Sequence, residues 1–388
     1  MNYGTKNNHR CDTAPSVGRL WLLLVATLFA VSLSGCSDEK VGEVPQTPFP
    51  EPDIIDWVFS IWGSGPDDVF MVGRPGFILH FDGGTWTRTD VAASTLTTVW
   101  GTGPSDVYAC GHAGALFHFD GTAWSRMDSG TDMNLYDVGE GPYGEIYTVG
   151  HDGVLKKLSG GSWVSTQRRA YRSYPVEGDP PVEQAPEDTL VFRDSIDFLT
   201  AISAYGIAGN SAIVLMENNH EGFDHEWEWG PVEDDDFSLM TSAVSSITVD
   251  DNYLATDTGK ILRLTATFDG YQWVQPRNQQ GTPRYPSTFP ARVTDLWLDE
   301  EADLLYLTTW TGRIATMQQD GSSSRTIYAD SGWLSAIWGT GSTNIYAAGY
   351  GGVVLHFDGN TWEPVDVPLP DTTAKEIPVT DKFGRPLL

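Results

Sequence analysis

The chain has 388 residues, of which 40% are hydrophobic and 12% aromatic, and 23 Lys and Arg against 52 Asp and Glu give a formal net charge of −29. This composition excludes a disordered chain, and the acidic excess argues against nucleic acid or anionic lipid as a ligand, since both require clustered basic residues. With 41 glycines, 15 tryptophans and only 19% charged residues, the chain favours an all-β repeat protein over a helical one.

The first predicted element, residues 1–35, is a secretory signal. Basic residues precede an uncharged stretch from Leu20 to Leu33, which suits a signal peptide and is too short to span a bilayer comfortably. The Leu-Ser-Gly-Cys motif that ends at Cys36 resembles the bacterial lipobox. That resemblance implies cleavage before Cys36 and acylation of its thiol, which would anchor the protein in a membrane; a plain signal peptide is the alternative.

Further expectations concern location and domain boundaries. Ser37, rather than aspartate, follows the cysteine, which by analogy with lipoprotein sorting favours the outer membrane or the cell surface over the inner membrane. The segment after Cys36 is rich in proline, as linkers often are. The predicted parts of the mature chain are a lipidated tether at 36–55, a repeat domain at 56–367 and an extended tail at 368–388.

Only one free cysteine is predicted in the mature chain. Cys11 leaves with the signal and Cys36 carries lipid, so that Cys110 remains and no intramolecular disulfide can form. Cys110 takes a strand position that is apolar in the other repeats, which indicates a core residue.

An internal repeat of about 38 residues dominates the domain. The clear copies are IWGSGPDDVFMVGRPGFILHFDGGTW from Ile61, VWGTGPSDVYACGHAGALFHFDGTAW from Val99, VGEGPYGEIYTVGHDGVLKKLSGGSW from Val138 and IWGTGSTNIYAAGYGGVVLHFDGNTW from Ile337. Glycines separate short β-branched and aromatic runs, so each copy predicts four strands. In the second copy these are Leu96–Trp100, Asp106–Cys110, Ala115–Phe119 and Ala123–Met127.

Weaker copies in the middle of the domain bring the number of predicted first strands to seven: VFSIW, LTTVW, LYDVG, LTAIS, VSSIT, VTDLW and LSAIW. Repeated four-stranded units predict an all-β, seven-bladed β-propeller. Six or eight blades would follow if a middle copy is misread, and a β-helix or open solenoid is the alternative. The pattern WG[ST]GPxDVxxxG…HFDGxxW resembles repeats of bacterial propeller lipoproteins and, more distantly, BNR-like and photosystem-assembly-factor-like propellers. The resemblance implies the fold and no particular chemistry.

Strand alternation assigns the turns of a propeller to two faces. The WGTGP and DGxTW turns share one face, here called the repeat-turn face. The other, the long-loop face, carries the turns that begin at Arg74, His112, His151 and Tyr350, an insertion at about 166–195, and long connections at 230–242 and 278–291. Because binding sites concentrate in long loops on rigid scaffolds, the candidate binding residues are Arg168, Arg169, Arg172, Tyr171, His112, His151, Arg284 and Tyr285. The alternative is that the loops are insertions without a function. Their arginines could equally form ion pairs with the acids at 233–236.

Tryptophans and histidines also recur in the repeats. An aromatic arc at the ends of first strands could stack on a ligand or pack between blades; it consists of Trp62, Trp100, Trp297 and Trp338. The histidines His80, His118 and His356 share one repeat position, which carries Lys157 and Arg263 in other copies. A metal ligand would not alternate with cations, so we expect these histidines to be structural or solvated.

No catalytic or metal site is predicted. The stretch from His220 to His225 has histidines five residues apart, which does not match the helical HExxH zinc motif. Asp224 or the acids at 233–236 could bind calcium, but no DxDxDG loop is present and a solvated loop is the simpler interpretation. The DGxTW turn is one residue shorter than the Asp box of sialidases, and no GxSxG, P-loop or dinucleotide motif appears.

The sequence therefore predicts an envelope-anchored binding or assembly module without a cofactor. Its partner would be another envelope or extracellular protein, or a glycan, and not a nucleic acid. The alternative is a glycan-active hydrolase or lyase with its site at the channel mouth. A surface protein that associates with its own kind is a third hypothesis.

Overall fold

Strands provide nearly all of the regular structure in the computed structural model. It describes residues 56–369 except for 94, 141–143, 166–170, 173–198, 204–205, 210–212, 217–226, 231–239, 245–252, 257–260, 268–269, 275–291, 319–323 and 330–331. These residues belong to one unit of the chain, 53–388. Within them, the one helical element is a 3₁₀ turn at His112–Gly114, and no helix could cross a membrane.

In this described part, the strands form seven sheets, which we number in chain order. The strands of the first three sheets are, for sheet 1, β1 (Trp57–Gly65), β2 (Asp68–Arg74), β3 (Phe77–Phe81) and β4 (Trp86–Asp90); for sheet 2, β5 (Leu96–Gly103), β6 (Asp106–Gly111), β7 (Leu116–Phe119) and β8 (Trp124–Arg126); and for sheet 3, β9 (Leu135–Glu140), β10 (Ile146–Gly150), β11 (Leu155–Ser159) and β12 (Ser162–Ser165).

The remaining strands are, for sheet 4, β13 (Tyr171–Arg172), β14 (Leu199–Ser203), β15 (Gly206–Gly209), β16 (Ile213–Met216) and β17 (Trp227–Gly230); for sheet 5, β18 (Met240–Val244), β19 (Tyr253–Thr256), β20 (Ile261–Thr267) and β21 (Gly270–Val274); for sheet 6, β22 (Val293–Asp299), β23 (Leu304–Thr309), β24 (Arg313–Gln318) and β25 (Ser324–Ala329); and for sheet 7, β26 (Leu334–Gly341), β27 (Asn344–Gly349), β28 (Val354–Phe357) and β29 (Trp362–Pro364).

Each sheet contains a four-stranded antiparallel meander, to which sheet 4 adds the short strand β13, and the first strands of the meanders lie side by side. β1, β5, β9, β14, β18, β22 and β26 contact one another in this order, and β26 also contacts β1. Stacking of four-stranded antiparallel sheets around their first strands is the architecture of a β-propeller. The all-β propeller expected from the repeats is confirmed.

The predicted strands agree closely with those observed in the clear repeats and less well in the middle. β5–β8 contain most of the residues predicted for the second copy. In sheet 5 the first strand is Met240–Val244, so it begins four residues before the predicted VSSIT run. In sheet 4 a short strand from the expected loop insertion, Tyr171–Arg172, pairs in parallel with β17; that part of the insertion contributes to a sheet.

The hydrophobic core lies between neighbouring sheets. In β2, Val69 and Met71 pack into a cluster with sheet 7, while Phe70 and Val72 pack into a cluster with sheet 2. Because successive strand residues point to opposite faces, a strand that is buried on both sides must be apolar throughout. Burial on both faces explains uninterrupted runs such as VFMV. Cys110, predicted as a core residue, is fully buried in the cluster between sheets 2 and 3.

Hydrogen bonds from one repeat position connect adjacent first strands. The Ser60 hydroxyl accepts from the Val99 amide at 3.3 Å. The Thr98 hydroxyl donates to the Tyr136 carbonyl at 3.0 Å. In sheet 6, the Asp295 carboxylate accepts from the Ile337 amide at 2.9 Å. These polar groups stabilise the contact between sheets.

Candidate functional site

The recurring histidines belong to a structural network at the repeat-turn face. His80 Nε2 lies 2.7 Å from Asp68 Oδ1, and the Ser64 hydroxyl donates to Asp68 Oδ2 at 2.5 Å. The His80 ring also stacks on Phe70 with centroids 4.0 Å apart. The same arrangement joins Thr102, Asp106 and His118 in sheet 2 and Thr340, Asn344 and His356 in sheet 7. Of the two alternatives for these histidines, this network favours the structural one.

Electrostatics support this interpretation of the network. Burial disfavours the charged carboxylate of Asp106, but hydrogen bonds from Thr102, His118 and Tyr108 outweigh burial and lower the pKa of Asp106 below its usual value. In sheet 3 the corresponding pair is Lys157 and Glu145, with Nζ and Oε1 2.7 Å apart. An acid or amide at the start of the second strand thus binds a donor on the third strand in each case.

The DGxTW turns are also held by their own side chains. Asp82 Oδ1 accepts from the amides of Gly84 and Thr85 at 3.0 and 2.8 Å, and Asp120 and Asp358 do the same in their repeats. Backbone hydrogen bonds lower the pKa of all three carboxyl groups. These are turn-forming aspartates, and Oδ1 of each accepts hydrogen bonds from the backbone of its own turn.

The four tryptophans of the proposed arc lie between sheets and are partly buried. The ring edges of three of them pack on glycines of the next sheet. A Cβ on Gly101 would lie 2.8 Å from Cη2 of Trp62, and Gly63 and Gly339 contact Trp338 and Trp297 in the same way. Trp100 packs against the cluster between sheets 2 and 3. This packing favours the structural interpretation of the arc over the binding one.

The predicted histidines His112 and His151 lie on the long-loop face, in sheets 2 and 3. His151 Nδ1 lies 3.1 Å from the Tyr136 hydroxyl, and His112 opens the 3₁₀ turn. No group of three or more His, Cys, Asp or Glu among the described residues could hold a metal. Of the other candidates, Arg168, Arg169, Arg284 and Tyr285 lie outside the described residues, as do the stretches 220–225 and 233–236. For Tyr171 and Arg172 the structure describes only a backbone pairing with Glu228 and Trp229.

His112 and His151 belong to a recurring pair of positions at the long-loop face. Each pair joins two residues of one sheet. The first residue lies just before, or at the start of, the sheet's first strand, and the second lies at the start of the turn that follows its second strand. Backbone amides of the second residues donate to carbonyls of the first at 2.8 to 3.0 Å in four sheets, and in sheet 1 the two residues are strand partners. These rim pairs are Trp57 and Arg74, Thr95 and His112, Asn134 and His151, Arg292 and Trp310, and Trp333 and Tyr350.

Rim pairs of sheets 6, 7 and 1 form an aromatic cluster that the sequence analysis missed. Trp310 and Trp333 stack with centroids 4.5 Å apart, and Trp333 lies 5.4 Å from Tyr350. Trp57 lies 5.7 Å from Tyr350 and 6.1 Å from Trp310, so the four rings make a closed set. The Trp57 ring is buried, whereas the other three rings are partly exposed.

Two arginines flank the aromatic cluster. Arg74 Cζ lies 5.5 Å from the centroid of the Trp57 ring, and Arg292 Cζ lies 5.9 Å from that of Trp310. Both are within cation–π range. Burial lowers the pKa of Arg74, while the nearby Tyr350 acts in the opposite direction. The residues of this site occupy the two rim-pair positions, which vary from copy to copy within an otherwise regular repeat. That variability was the signal for the site in the sequence.

Comparisons with known proteins support the fold. No protein-family model matches the sequence, and no curated protein matches it. The structure is similar to YCF48 from Cyanidioschyzon merolae, with a TM-score of 0.55 and 14% identity over 80% of this chain and 98% of that chain. It is also similar to YCF48 bound to D1 peptide, with a TM-score of 0.53 and 13% identity over 79% of this chain and 92% of that chain. At these identities the likeness establishes the propeller fold.

Proposed function

We propose that the protein is a non-catalytic binding or assembly module that recognises a segment of another envelope or extracellular protein through its long-loop face. The proposal rests on a difference between the two faces in the residues that occupy the repeated positions. Polar groups on the repeat-turn face engage one another, as in the network of Ser64, Asp68 and His80. Rim pairs on the long-loop face differ from sheet to sheet and gather aromatic and arginine side chains in three neighbouring sheets.

Similarity to a peptide-binding propeller supports the choice of a protein partner. YCF48 is described in complex with a D1 peptide, so a propeller of this shape accommodates a segment of another protein. Tryptophan, tyrosine and arginine, the residues of the aromatic cluster, are those most enriched among residues that dominate binding energy at protein interfaces. In this proposal the propeller has seven blades, one for each sheet.

Site-specific photo-crosslinking in native envelopes tests the proposed face. The crosslinking residue p-benzoylphenylalanine would replace Met133 or Thr311 on the long-loop face, and Thr122 or Asn360 on the repeat-turn face as matched exposed controls. We expect the same partner to be captured from both long-loop positions and from neither control. Capture mainly from the control positions would contradict the proposal.

The proposal includes a lipid anchor at Cys36. It rests on the lipobox-like motif and on the tether that joins Cys36 to the propeller. Cys36→Ser should move the protein from the membrane fraction to the soluble fraction, and mass spectrometry of the wild-type amino terminus should find acyl chains. An unmodified Cys36, or a variant that sediments with membranes as the wild type does, would contradict the anchor without affecting the binding proposal.

A further inference from the structure

Arg74 has unused hydrogen-bonding capacity at the aromatic cluster. Its guanidinium lies over the Trp57 ring, and it forms no ion pair with any residue that the structure describes. A guanidinium has five N–H donors in its plane, so stacking on a ring leaves the donors at its edge available for a bidentate contact with a carboxylate. The residue remains charged at neutral pH despite its partial burial.

A buried carboxylate at the same sheet junction is paired with a different arginine. Asp56, adjacent to Trp57 in the chain, is buried and lies 3.4 Å from Arg88 Nη1, and Arg88 also donates to Asp90 at 2.7 Å. Arg88, in turn, lies over Phe77. Arg74 is therefore separate from the ion-pair network of this junction.

The charge of the chain limits the ligands that suit Arg74. A net charge of −29 repels polyanions such as nucleic acid or a heavily phosphorylated segment. A single carboxylate that contacts one arginine gains a charge-assisted hydrogen bond, whereas its long-range repulsion by the acidic chain is small. Beside it, the partly exposed rings of Trp333 and Tyr350 offer surfaces for edge-to-face contact with another aromatic ring.

We infer that the rim of sheets 6, 7 and 1 binds a partner segment in which an Asp or Glu lies next to an aromatic residue, with the carboxylate on Arg74 and the aromatic ring on the Trp333–Tyr350 pair. This inference rests on the proposed function and specifies the chemistry of its ligand. We take the segment to be extended, because the cluster gathers side chains from three neighbouring sheets.

Selection from a random dodecapeptide phage library on the full mature chain tests this chemistry. We expect the enriched peptides to carry Asp or Glu within two residues of Phe, Tyr or Trp. For a synthetic enriched peptide, Arg74→Gln should weaken the Kd about tenfold or more, as expected for the loss of a hydrogen bond to a charged group. Arg74→Lys retains the charge without the planar guanidinium, so its Kd should lie between those of the wild type and Arg74→Gln.

The matched control is Arg325→Gln, which makes the same change of charge at an exposed arginine on the outer strand of sheet 6. We expect this variant to change the Kd less than twofold, and the melting temperatures to show that each variant is folded. Enriched peptides without carboxylates, equal weakening by both substitutions, or no enrichment would overturn the inference. Binding to a glycan array that requires Arg74, in place of peptide binding, would also overturn it. Photo-crosslinking of a protein from the long-loop face would then still support the broader function.

Discussion

Asp56 shows how a single buried charge affects the junction between the first and last sheets. Its side chain is 1% exposed. Its carboxylate lies 3.4 Å from Arg88, but Oδ2 is buried without a hydrogen-bond partner among the described residues. Its backbone carbonyl accepts from the amides of Gly351 and Gly352 in sheet 7. Burial raises the pKa of Asp56 above its usual value, although Arg88 acts in the opposite direction.

We predict that Asp56→Asn raises the melting temperature at pH 7 by about 1–3 °C. A raised folded-state pKa means that the folded protein favours the neutral side chain, so the wild type loses stability as the pH rises through that pKa. Asparagine keeps an acceptor for Arg88 without the charge. Thermal unfolding of both proteins between pH 4 and 7 should therefore show a difference that shrinks as the pH falls.

Asp106→Asn is the control, for which we expect a lower melting temperature at pH 7 instead of a higher one. Hydrogen bonds lower the pKa of Asp106 despite its partial burial, so its carboxylate stabilises the fold at pH 7 and that contribution is lost as the pH falls. A pH-independent decrease in melting temperature for Asp56→Asn would contradict the account of Asp56.

Residue roles could be predicted from the sequence where a position repeats. Cys110 and His80 were placed by comparison with their counterparts in other copies, and both act as expected. Trp57, Trp310 and Trp333 were missed because their positions vary between copies, and the repeat alone does not indicate what occupies them. Their proximity depends on side-chain contacts that join three different sheets.

At the scale of the element, one glycine in each clear repeat permits the close approach of two strands. A Cβ on Gly111 would lie 2.0 Å from the Thr95 carbonyl oxygen, and the equivalent distances for Gly73, Gly150 and Gly349 range from 1.8 to 2.1 Å. This contact occurs where the rim pairs form, so the glycine of the VxxxG motif positions the long-loop rim.

We predict that Gly111→Ala destabilises the protein by about 1–3 kcal/mol, because a backbone must shift to admit the methyl group. Gly103→Ala in the same sheet is the matched control, since nothing lies within 4 Å of its Cβ position, and should change stability by no more than about 0.5 kcal/mol. Denaturant unfolding of both variants measures the difference. Equal free energies of unfolding for the two would show that the close approach is not what requires Gly111.

Strand prediction succeeded where turn glycines separate clear β-branched and aromatic runs, as in β5–β8. It was less successful for β18, whose MTSAV sequence has no glycine or proline to mark its start. The strand at Tyr171–Arg172 could not be predicted, since its pairing partner lies in β17, more than fifty residues further along the chain.

At the scale of the whole molecule, the first and last sheets meet without exchanging strands. Each is built from one continuous stretch of chain, and their junction is held by side chains together with the backbone hydrogen bonds to Asp56. The Trp57 indole donates to the Ser335 hydroxyl at 2.9 Å across a sequence separation of 278 residues, and the same hydroxyl donates to the Val58 carbonyl. Trp57 therefore serves both the junction and the aromatic cluster.

The repeating architecture could be predicted from the sequence, but the aromatic cluster at its rim could not. A repeat of about 38 residues specifies the neighbours of each sheet, because adjacent copies pack in chain order. The pairing of Trp57 with Tyr350 requires that the two ends of the repeat domain meet. This contact follows from the closed arrangement and not from any local pattern, which is why the aromatic cluster emerged only from the structure.

We propose that the partner binds at the long-loop face, at the rim of sheets 6, 7 and 1. Hydrogen–deuterium exchange of the protein alone and in complex with the partner identified by photo-crosslinking locates the binding surface. We predict slower exchange in the turns at 309–313 and 349–353, and unchanged exchange in the repeat-turn segments 82–86 and 358–362. Protection confined to the repeat-turn segments, with no change at 309–313 and 349–353, would contradict the account.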